Sequence, residues 1–279
     1  MKEIFDYSSY KISALVTAEY STSFSSAARL LAPRVRKAIY AIYGFVRYAD
    51  EIVDSFQNYP QEELLTEFET EYYKAIERQI SINPILHCFQ EVVRAYDIDD
   101  ELIQTFLKSM KSDLHQYNYD SDIEFKEYIY GSADVVGLMC LKVFVNGNQA
   151  EFDKLMNSAM RLGSAFQKVN FLRDLKDDTQ RLNRSYFPQF NLNNITPEDK
   201  SLIIKEIEED FRLAYQGVKL LPIGSKLGVY CAYRYYLQLL KKLKKVNSTE
   251  ILNTRIRVSN PMKIIILGKS FIRYHLNMI

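Results

Sequence analysis

The chain has 279 residues, a formal net charge of +1 and ordinary shares of hydrophobic (47%) and charged (25%) residues. This length suffices for one large domain or two small ones with a sizeable core. The near-zero charge excludes a global field that would draw the protein onto nucleic acid. With 21 Tyr, 16 Phe, only 9 Gly and 7 Pro, the composition favours long helices and a large apolar interior.

The cysteine and histidine residues are too scattered for a structural site. Cys88, Cys140 and Cys231 form no CxxC pair, which excludes a disulfide scaffold, fits a reducing compartment and argues against a zinc site. No stretch approaches the roughly 20 apolar residues of a membrane span. The first residues also lack the apolar region of a secretion signal, so we expect a cytoplasmic protein.

In chain order, the sequence predicts helices almost throughout. One long helix begins at Pro33 and is apolar on every side from Ala38 to Val46, as expected in the middle of a fold. An amphipathic helix follows over residues 61–80. Asn83 and Asp99 are cap candidates that open the next two helices.

The second half of the chain predicts two further long helices, from Phe125 to Val145 and from Lys154 to Asp178. The main irregular segment is rich in Asn and Pro and covers residues 183–200. Helices resume from Pro197. Since we find no repeat, no linker and no alternating strand pattern of useful length, we predict one all-α domain over residues 1–279.

Two carboxylates four residues apart, Asp50 and Asp54, follow the apolar run of the helix that begins at Pro33. Residues at this spacing share a helix face, with Cβ atoms roughly 5–6 Å apart, and like charges there weaken a helix by a few tenths of a kcal/mol. A lone DxxxD motif is most often a solvated helix end, because short motifs match by accident.

A second acidic pair changes this interpretation. Asp174 and Asp178 are again four apart, Asn170 stands one turn before them, and Gln167 lies on nearly the same face. Carboxylate and amide oxygens suit hard cations, and Mg²⁺ completes its coordination with water and phosphate oxygens. Two such helices facing each other would hold several Mg²⁺ ions around a diphosphate.

An arginine stands close to each acidic pair. Arg47 and Arg173 could contact phosphate or neutralise the neighbouring carboxylates. Either arginine alone is more often part of a structural ion pair, but two metal-type motifs beside them favour phosphate. Neither acidic pair has the spacing or the glycine of an EF-hand, so calcium sensing is not expected.

Four segments occur in an order typical of a known family: YSTSFSSAARLLAPRVRKAIYAIYGFVRYADEIVD, YIYGSADVVGLMCLKVF, FQKVNFLRDLKDD and RSYFP. On these segments the chain resembles the squalene/phytoene synthases, and within them the bacterial phytoene synthases. The acidic pairs alone are moderately specific, whereas the four segments together are highly specific. They span most of the chain, from about Tyr20 into the last third.

The resemblance implies an all-α isoprenoid-synthase fold around a central cavity, with Mg²⁺ as cofactor and Mn²⁺ as a possible substitute. It also implies head-to-head joining of two allylic diphosphates through a cyclopropyl intermediate, with geranylgeranyl diphosphate as substrate and phytoene as product. The metal-binding residues it implies are Asp50, Asp54, Asn170, Asp174 and Asp178. The substrate-binding residues are Ser21, Phe24, Arg47, Gln167, Arg173, Tyr236 and Arg255. Tyr128 matches a family tyrosine near the reacting carbons.

The chemistry of this reaction predicts aromatic side chains around the cavity. A carbocation needs a dry site, because water would quench it, and aromatic faces attract it. The candidates are Phe24, Tyr43, Tyr128, Phe166 and Phe171. Plain core packing is the simpler interpretation of each one except Tyr128, whose hydroxyl needs a polar partner and could find one in a diphosphate.

Three positions depart from the pattern of many relatives. Asp134 stands where a small residue is common and would either crowd the cavity or lie on the outer helix face. Tyr20 replaces a histidine of some relatives. Glu51 replaces a common aspartate. None of these departures removes an implied metal ligand.

Several alternatives stay open. A squalene or dehydrosqualene synthase would use the shorter farnesyl diphosphate, and a family member acting as an assembly factor would have no activity. A head-to-tail synthase is disfavoured because neither acidic motif is DDxxD. The basic and apolar segment after residue 240 is either a last helix packed on the core, which we favour slightly, or a peripheral membrane contact.

Overall fold

A computed structural model of the chain is helical, as expected from the scarcity of helix-breaking residues. It describes residues 2–116, 119, 121–180, 187, 196–251 and 254–279, without the side chains of residues 176–180, 248 and 249. The helices are α1 Lys2–Tyr20, α2 Thr22–Ala28, α3 Pro33–Ser55, α4 Gln61–Arg78, α5 Pro84–Tyr96, α6 Asp100–Ser112, α7 Asp122–Ile129, α8 Val135–Phe144, α9 Gln149–Gln180, α10 Pro197–Leu220, α11 Ile223–Lys245, α12 Ser248–Ile251 and α13 Asn260–His275. These residues include no strand, and the predicted all-α class is confirmed.

The helix starts follow local chemistry in most places. Pro33 occupies the first turn of α3, as predicted. The Asn83 side chain accepts hydrogen bonds from the backbone at the start of α5, so this cap is confirmed. Asp99 precedes α6 but makes no side-chain cap, because its carboxylate lies 3.0 Å from the buried Lys142 ammonium of α8.

The apolar run of α3 lies at the centre of the core. Ala41 and Phe45 are fully buried, and the Phe45 ring stacks on Phe89 of α5 with 3.9 Å between centroids. Buried side chains from α1 to α12 join in one continuous hydrophobic cluster around this helix. Among the described residues, no helix is long and apolar enough to cross a membrane.

The helix predicted from Phe125 to Val145 is divided by a π-helical turn, Tyr130–Asp134, between α7 and α8. This turn and α8 approach α9 very closely. A Cβ atom at Gly163 of α9 would lie 2.8 Å from the Ala133 carbonyl oxygen, and one at Gly137 would lie 3.0 Å from the Ala159 carbonyl oxygen. Glycine at these positions therefore sets how tightly α9 packs against α8.

Asp134 neither crowds the cavity nor lies on an outer helix face. Its side chain is buried against α9, where the Ser164 hydroxyl donates to its carboxyl at 2.7 Å. The next turn of α9 carries Lys168, whose ammonium lies 2.8 Å from the buried Asp210 carboxylate of α10. Asp134 is thus one end of a polar cluster that joins the π-helical turn, α9 and α10.

Burial raises the pKa of Asp134 to about 7, although the Ser164 hydroxyl partly opposes this. The folded state therefore favours the neutral carboxyl. Protonated Asp134 therefore contributes fully to stability below the pKa of about 4 that it has in the unfolded chain. This contribution is lost as the pH rises through about 7, where the carboxyl of the folded protein ionises. We expect the free energy of unfolding of Asp134→Asn, relative to the native chain, to increase between pH 4 and 8 by up to about 4 kcal/mol. Urea denaturation at several pH values measures this difference.

The matched control is Asp153→Asn, which makes the same change at an exposed position of α9. Its stability relative to the native chain should vary little over this pH range. A constant difference for Asp134→Asn from pH 4 to 8 would show that the carboxyl is not desolvated in the folded protein.

Candidate active site

The acidic pair of α3 lies where this helix leaves the core and reaches an internal cavity of about 440 Å³. Asp50 and Asp54 both line the cavity, and the buried Ala49 and Val53 alternate with them on the core side of the helix. The pair therefore lies at the cavity and does not form the solvated helix end that is usual for a lone DxxxD motif. Its carboxylates face a concave, largely apolar space.

The second acidic segment meets the first across the same cavity. Gln167, Asn170 and Asp174 of α9 line it together with the α3 pair. These residues are three and four positions apart, so they are expected to share one face of α9. That face points to the cavity. The side chain of Asp178 lies outside the described residues, and its predicted role stays a prediction.

Three arginines accompany the carboxylates. Arg47 pairs with Glu51 one turn along α3 and approaches Asp50 at 4.0 Å. Burial lowers the pKa of Arg47, but hydrogen bonding and attraction from these carboxylates raise it above its ordinary value. The guanidinium therefore stays cationic. Glu51, the departure from many relatives, thus holds an arginine at the cavity.

The other two arginines converge on one carboxylate of α9. The Arg173 guanidinium donates to Asp174 at 2.9 Å. The Arg255 Nε lies 2.8 Å from the same carboxylate, from a segment 81 residues further along the chain (255 − 174). Arg173 lines the cavity, whereas Arg255 contacts it through Asp174.

Two buried polar atoms at the cavity have no hydrogen-bond partner within the described part of the chain. They are the side-chain oxygen of Asn170 and the Nε of Arg47. An unpaired buried acceptor or donor costs about 1–3 kcal/mol, so each of these two atoms could accept or donate a hydrogen bond, or bind an ion, if a ligand entered the cavity. An orphan oxygen beside Asp174 suits a hard cation, and an orphan guanidinium N–H suits an anion.

Aromatic rings form much of the remaining wall. All five candidates line the cavity, and Phe24, Tyr128, Phe166 and Phe171 also pack in the hydrophobic core, so both interpretations hold for these four. The Phe24 ring stacks on Tyr43 with 5.0 Å between centroids, and the Phe166 ring stacks on Tyr236 at 3.9 Å. Burial raises the pKa of the Tyr236 hydroxyl, so it stays neutral and able to donate.

Tyr128 finds its polar partner in the protein itself. Its hydroxyl donates to the buried Asp113 carboxylate at 3.1 Å, and Tyr119 donates to the same group at 3.3 Å. Asp113 also lines the cavity, and sequence reasoning missed it. It is a single aspartate at the end of α6 without a recognisable motif, so no spacing signal could have found it.

Ser21 and Tyr20 have structural partners just outside this cavity. The Ser21 hydroxyl accepts a hydrogen bond from the Phe24 N–H and caps α2. Tyr20 lies under the Arg47 guanidinium, 4.3 Å from the ring centroid. Among the described residues, neither lines the cavity, so the predicted phosphate contact of Ser21 stays a prediction.

The cavity is polar at one end and apolar along most of its length. The part of the lining that belongs to α9 runs from Leu155 to Asp174. With a helical rise of 1.5 Å per residue, the 19 steps between these two residues (174 − 155) span about 28 Å. Small side chains such as Ala28 and Ala159 line this part of the space. A ligand with a charged head and a long apolar tail matches this shape.

The fold and the site define a class of helical proteins that gather carboxylates and arginines at the mouth of a deep apolar cavity. Within that class, the chain belongs to the squalene/phytoene synthase family, whose sequence model matches residues 17–261. The matched range contains every predicted site residue. The RSYFP segment of the resemblance lies outside the described residues except for Phe187.

Individual relatives agree with this assignment. The chain is 26% identical to phytoene synthase 2 of Solanum lycopersicum, over 92% of this chain and 88% of that protein. It is also 26% identical to the 15-cis-phytoene synthase of Enterobacter agglomerans, over 88% and 90%. The chain spans only 58% to 69% of the length of several other plant phytoene synthases. A dehydrosqualene synthase structure shares the fold, with a TM-score of 0.84 and 20% identity over 98% of both chains.

The Tyr128–Asp113–Tyr119 group allows a stability test. We expect Asp113→Ala to lower the free energy of unfolding by about 1–3 kcal/mol, because two buried hydroxyls lose an acceptor. Tyr128→Phe should cost less, about 0.5–1.5 kcal/mol. The double variant should lose less than the sum, since both changes break the same hydrogen bond. Chemical denaturation measures all three.

Tyr59→Phe, at a tyrosine that is 67% exposed, is the control and should change the stability little. Strict additivity of the two cavity substitutions would show that the Tyr128–Asp113 hydrogen bond contributes nothing to stability.

Proposed function

We propose that the protein is a phytoene synthase, a Mg²⁺-dependent prenyltransferase that joins two geranylgeranyl diphosphates head to head through cyclopropyl prephytoene diphosphate. The observation that carries the proposal is the convergence of Asp50, Asp54, Asn170 and Asp174 at one end of a long apolar cavity. The family assignment and the phytoene synthases among the relatives support it.

The metal-binding residues in this proposal are Asp50 and Asp54 on α3, with Asn170, Asp174 and Asp178 on α9. They match Mg²⁺ because they offer hard oxygen ligands from two facing helices, including the unpartnered Asn170 oxygen. Mn²⁺ is an expected substitute, since the same ligands suit it. Bound Mg²⁺ would neutralise the diphosphates and make them better leaving groups.

The arginines supply the other half of diphosphate binding. Arg47 has an unpartnered Nε that could donate to a diphosphate, and Arg173 lies on the cavity wall. Arg255 and Arg173 both bind Asp174 in this structure. A diphosphate with its cations would offer these guanidinium groups a second acceptor, and the neutral Tyr236 hydroxyl could donate beside them.

The proposed reaction balances without a redox partner. The C–O bond of one substrate breaks and diphosphate leaves with the electron pair. The double bond of the second substrate attacks the allylic cation, and loss of a proton closes the cyclopropane ring. Departure of the second diphosphate, rearrangement and loss of another proton then give phytoene, so two diphosphates and two protons are released.

The apolar part of the cavity would protect these cations. Phe24, Tyr43, Phe166 and Phe171 present rings to the space, and such faces attract a cation by about 0.5–2 kcal/mol each. Exclusion of water prevents premature quenching. Tyr128 is held at a defined place by Asp113, where it can orient a departing diphosphate or a reacting carbon.

A farnesyl-specific synthase is the alternative of the same class, and a non-catalytic assembly factor is the alternative of another class. The extended apolar lining along α9 favours the longer geranylgeranyl chain. Intact carboxylates on both helices, gathered at one cavity, favour catalysis over an assembly role.

The first test is incubation of the purified protein with Mg²⁺ and either geranylgeranyl or farnesyl diphosphate, followed by mass spectrometry of the extracted products. We expect phytoene from the geranylgeranyl substrate without added NADPH. Asp50→Ala and Asp174→Ala should each lower the rate by roughly 100-fold or more, because electrostatic stabilisation of the leaving group is lost. Chelation of divalent cations should abolish turnover.

Glu63→Ala, which removes an exposed carboxylate from the first turn of α4, is the matched control and should keep full activity. If only farnesyl diphosphate gives a product, the proposed mechanism is kept and the proposed substrate is replaced by the shorter diphosphate. If neither diphosphate gives a product, the assembly-factor alternative is favoured.

A second test concerns the depth of the cavity. Ala159→Leu adds bulk to the apolar lining of α9, about 22 Å from Asp174 (15 residues, 174 − 159). We expect it to reduce turnover of geranylgeranyl diphosphate at least about tenfold more than turnover of farnesyl diphosphate, since one lost or blocked apolar unit costs about 1–3 kcal/mol. Asn157→Leu, on an exposed part of the same helix, is the control. Equal losses for both substrates would argue against a chain-length role of this position.

A further inference from the structure

Helix α13 carries apolar side chains on two faces, and only one of them packs on the protein. On the inner face, Ile266 is buried and joins a small cluster with Ala27 of α2 and Ala232 of α11. The Tyr235 hydroxyl donates to the Lys263 carbonyl at 3.2 Å and fixes the helix to α11. The favoured interpretation of the last helix, packing on the core, is thus correct for this face.

The outer face of α13 consists of residues spaced by one, three and four positions, which form a single stripe on a helix. Its apolar members are Ile264, Ile265, Phe271, Ile272 and Leu276, with Gly268 between them. The exposed His275 lies on the same face, with its ring centroid 4.2 Å from that of Phe271. Ile264 is 72% exposed, Ile272 58% and Leu276 64%. A Cβ atom at Gly268 would meet nothing within 4 Å, so this face is open along its length.

A surface helix normally turns charged residues outward, and α4 does so with Glu62, Glu63 and Glu67 exposed. The outer face of α13 is apolar instead. Single exposed apolar residues are common on proteins, whereas a contiguous stripe marks an interaction surface. Helix propensity cannot explain it, because alanine, lysine or glutamate would serve a solvated helix as well or better.

The charge around this stripe has one sign. From Ile251 to Ile279 the sequence contains no Asp or Glu. The positive residues in the same stretch are Arg255, Arg257, Lys263, Lys269 and Arg273. The chain as a whole is nearly neutral, so the net positive charge of this segment is balanced by net negative charge elsewhere in the chain. Arg255 pairs with Asp174, whereas Arg257 and Lys269 are exposed. An apolar stripe beside exposed positive charge complements an anionic lipid surface.

We propose that the outer face of α13 docks the protein onto a lipid bilayer that contains anionic lipids, with α13 lying in the plane of the interface. The apolar stripe would enter the boundary between headgroups and acyl chains. Lys269, exposed at the edge of the stripe, would lie at the headgroup level. The exposed Ile223 lies beside α13, since its carbonyl oxygen accepts a hydrogen bond from the Tyr274 hydroxyl at 3.5 Å.

This surface lies against the wall of the cavity. Ala27 and Ala232 line the cavity and also pack on Ile266 of α13. The Lys263 ammonium at the start of α13 donates to the Thr22 hydroxyl of α2 at 2.6 Å. Docking by α13 would therefore place a bilayer next to α2, one helix away from the apolar cavity. The idea that a hydrocarbon product leaves the cavity through this region rests on the proposed function. The docking of α13 on a bilayer does not.

The chain contains no tryptophan, which permits a direct test with one introduced fluorophore. Phe271→Trp places it on the outer face of α13, and Ile82→Trp places it at a residue that is 96% exposed on the loop before α5. Vesicles of phosphatidylcholine with and without phosphatidylglycerol are added to each full-length variant in the absence of substrate. Brominated lipids report whether the fluorophore enters the acyl region.

We expect a blue shift and bromine quenching for Phe271→Trp only, with at least about tenfold tighter binding to the anionic vesicles and weakening by salt. In flotation, Ile264→Ser combined with Ile272→Ser should lower the bound fraction at least about tenfold, while Ile82→Ser with Ile123→Ser should leave it unchanged. Equal thermal melting of all variants checks the fold. Because no substrate is present, the outcome does not depend on the proposed enzymatic activity.

Three results would overturn the proposal. The first is the absence of any shift or flotation with either vesicle. The second is an equal response of the two tryptophan variants, which would indicate non-specific adsorption. The third is a blue shift of Phe271→Trp that grows with protein concentration without vesicles, together with a dimer in sedimentation velocity; this would assign the face to a second copy of the chain.

Discussion

The site depends on one electrostatic constraint: carboxylates from two helices must face each other beside an apolar cavity. Asp50 and Asp174 belong to α3 and α9 and meet at the same space. Like charges in such a place are tolerated only when cations balance them. Arg47, Arg173 and Arg255 provide part of that balance, and under the proposed function bound Mg²⁺ would provide the rest.

Tight helix packing gives this constraint a rigid frame. Gly137 and Gly163 let the π-helical turn and α8 approach α9 to the limit of van der Waals contact. The cluster of Asp134, Lys168 and Asp210 adds polar contacts that join α9 to the π-helical turn and, on another face, to α10. A helix fixed on both sides can hold ligands at defined positions, which is what binding of a diphosphate with its cations would require.

The same architecture brings two apolar environments close together. Inside, rings such as Phe166 and Tyr236 line the cavity. Outside, the stripe of α13 faces away from the protein, and only α2 and α11 lie between the two. A protein that handles long hydrocarbon chains would gain from this closeness, because such molecules leave a cavity more readily into lipid than into water.

Local patterns in the sequence determined the all-α class, the central position of α3, the start of α5 at Asn83 and the helix faces that carry the acidic residues. These features depend on neighbours three or four positions apart, so a linear reading is sufficient. Only the tertiary structure decided the partners of Tyr128 and Arg255, the burial of Asp134 and the role of Asp113. Those contacts join residues far apart in the chain, and their distances follow from how the helices pack, which no spacing in the sequence encodes.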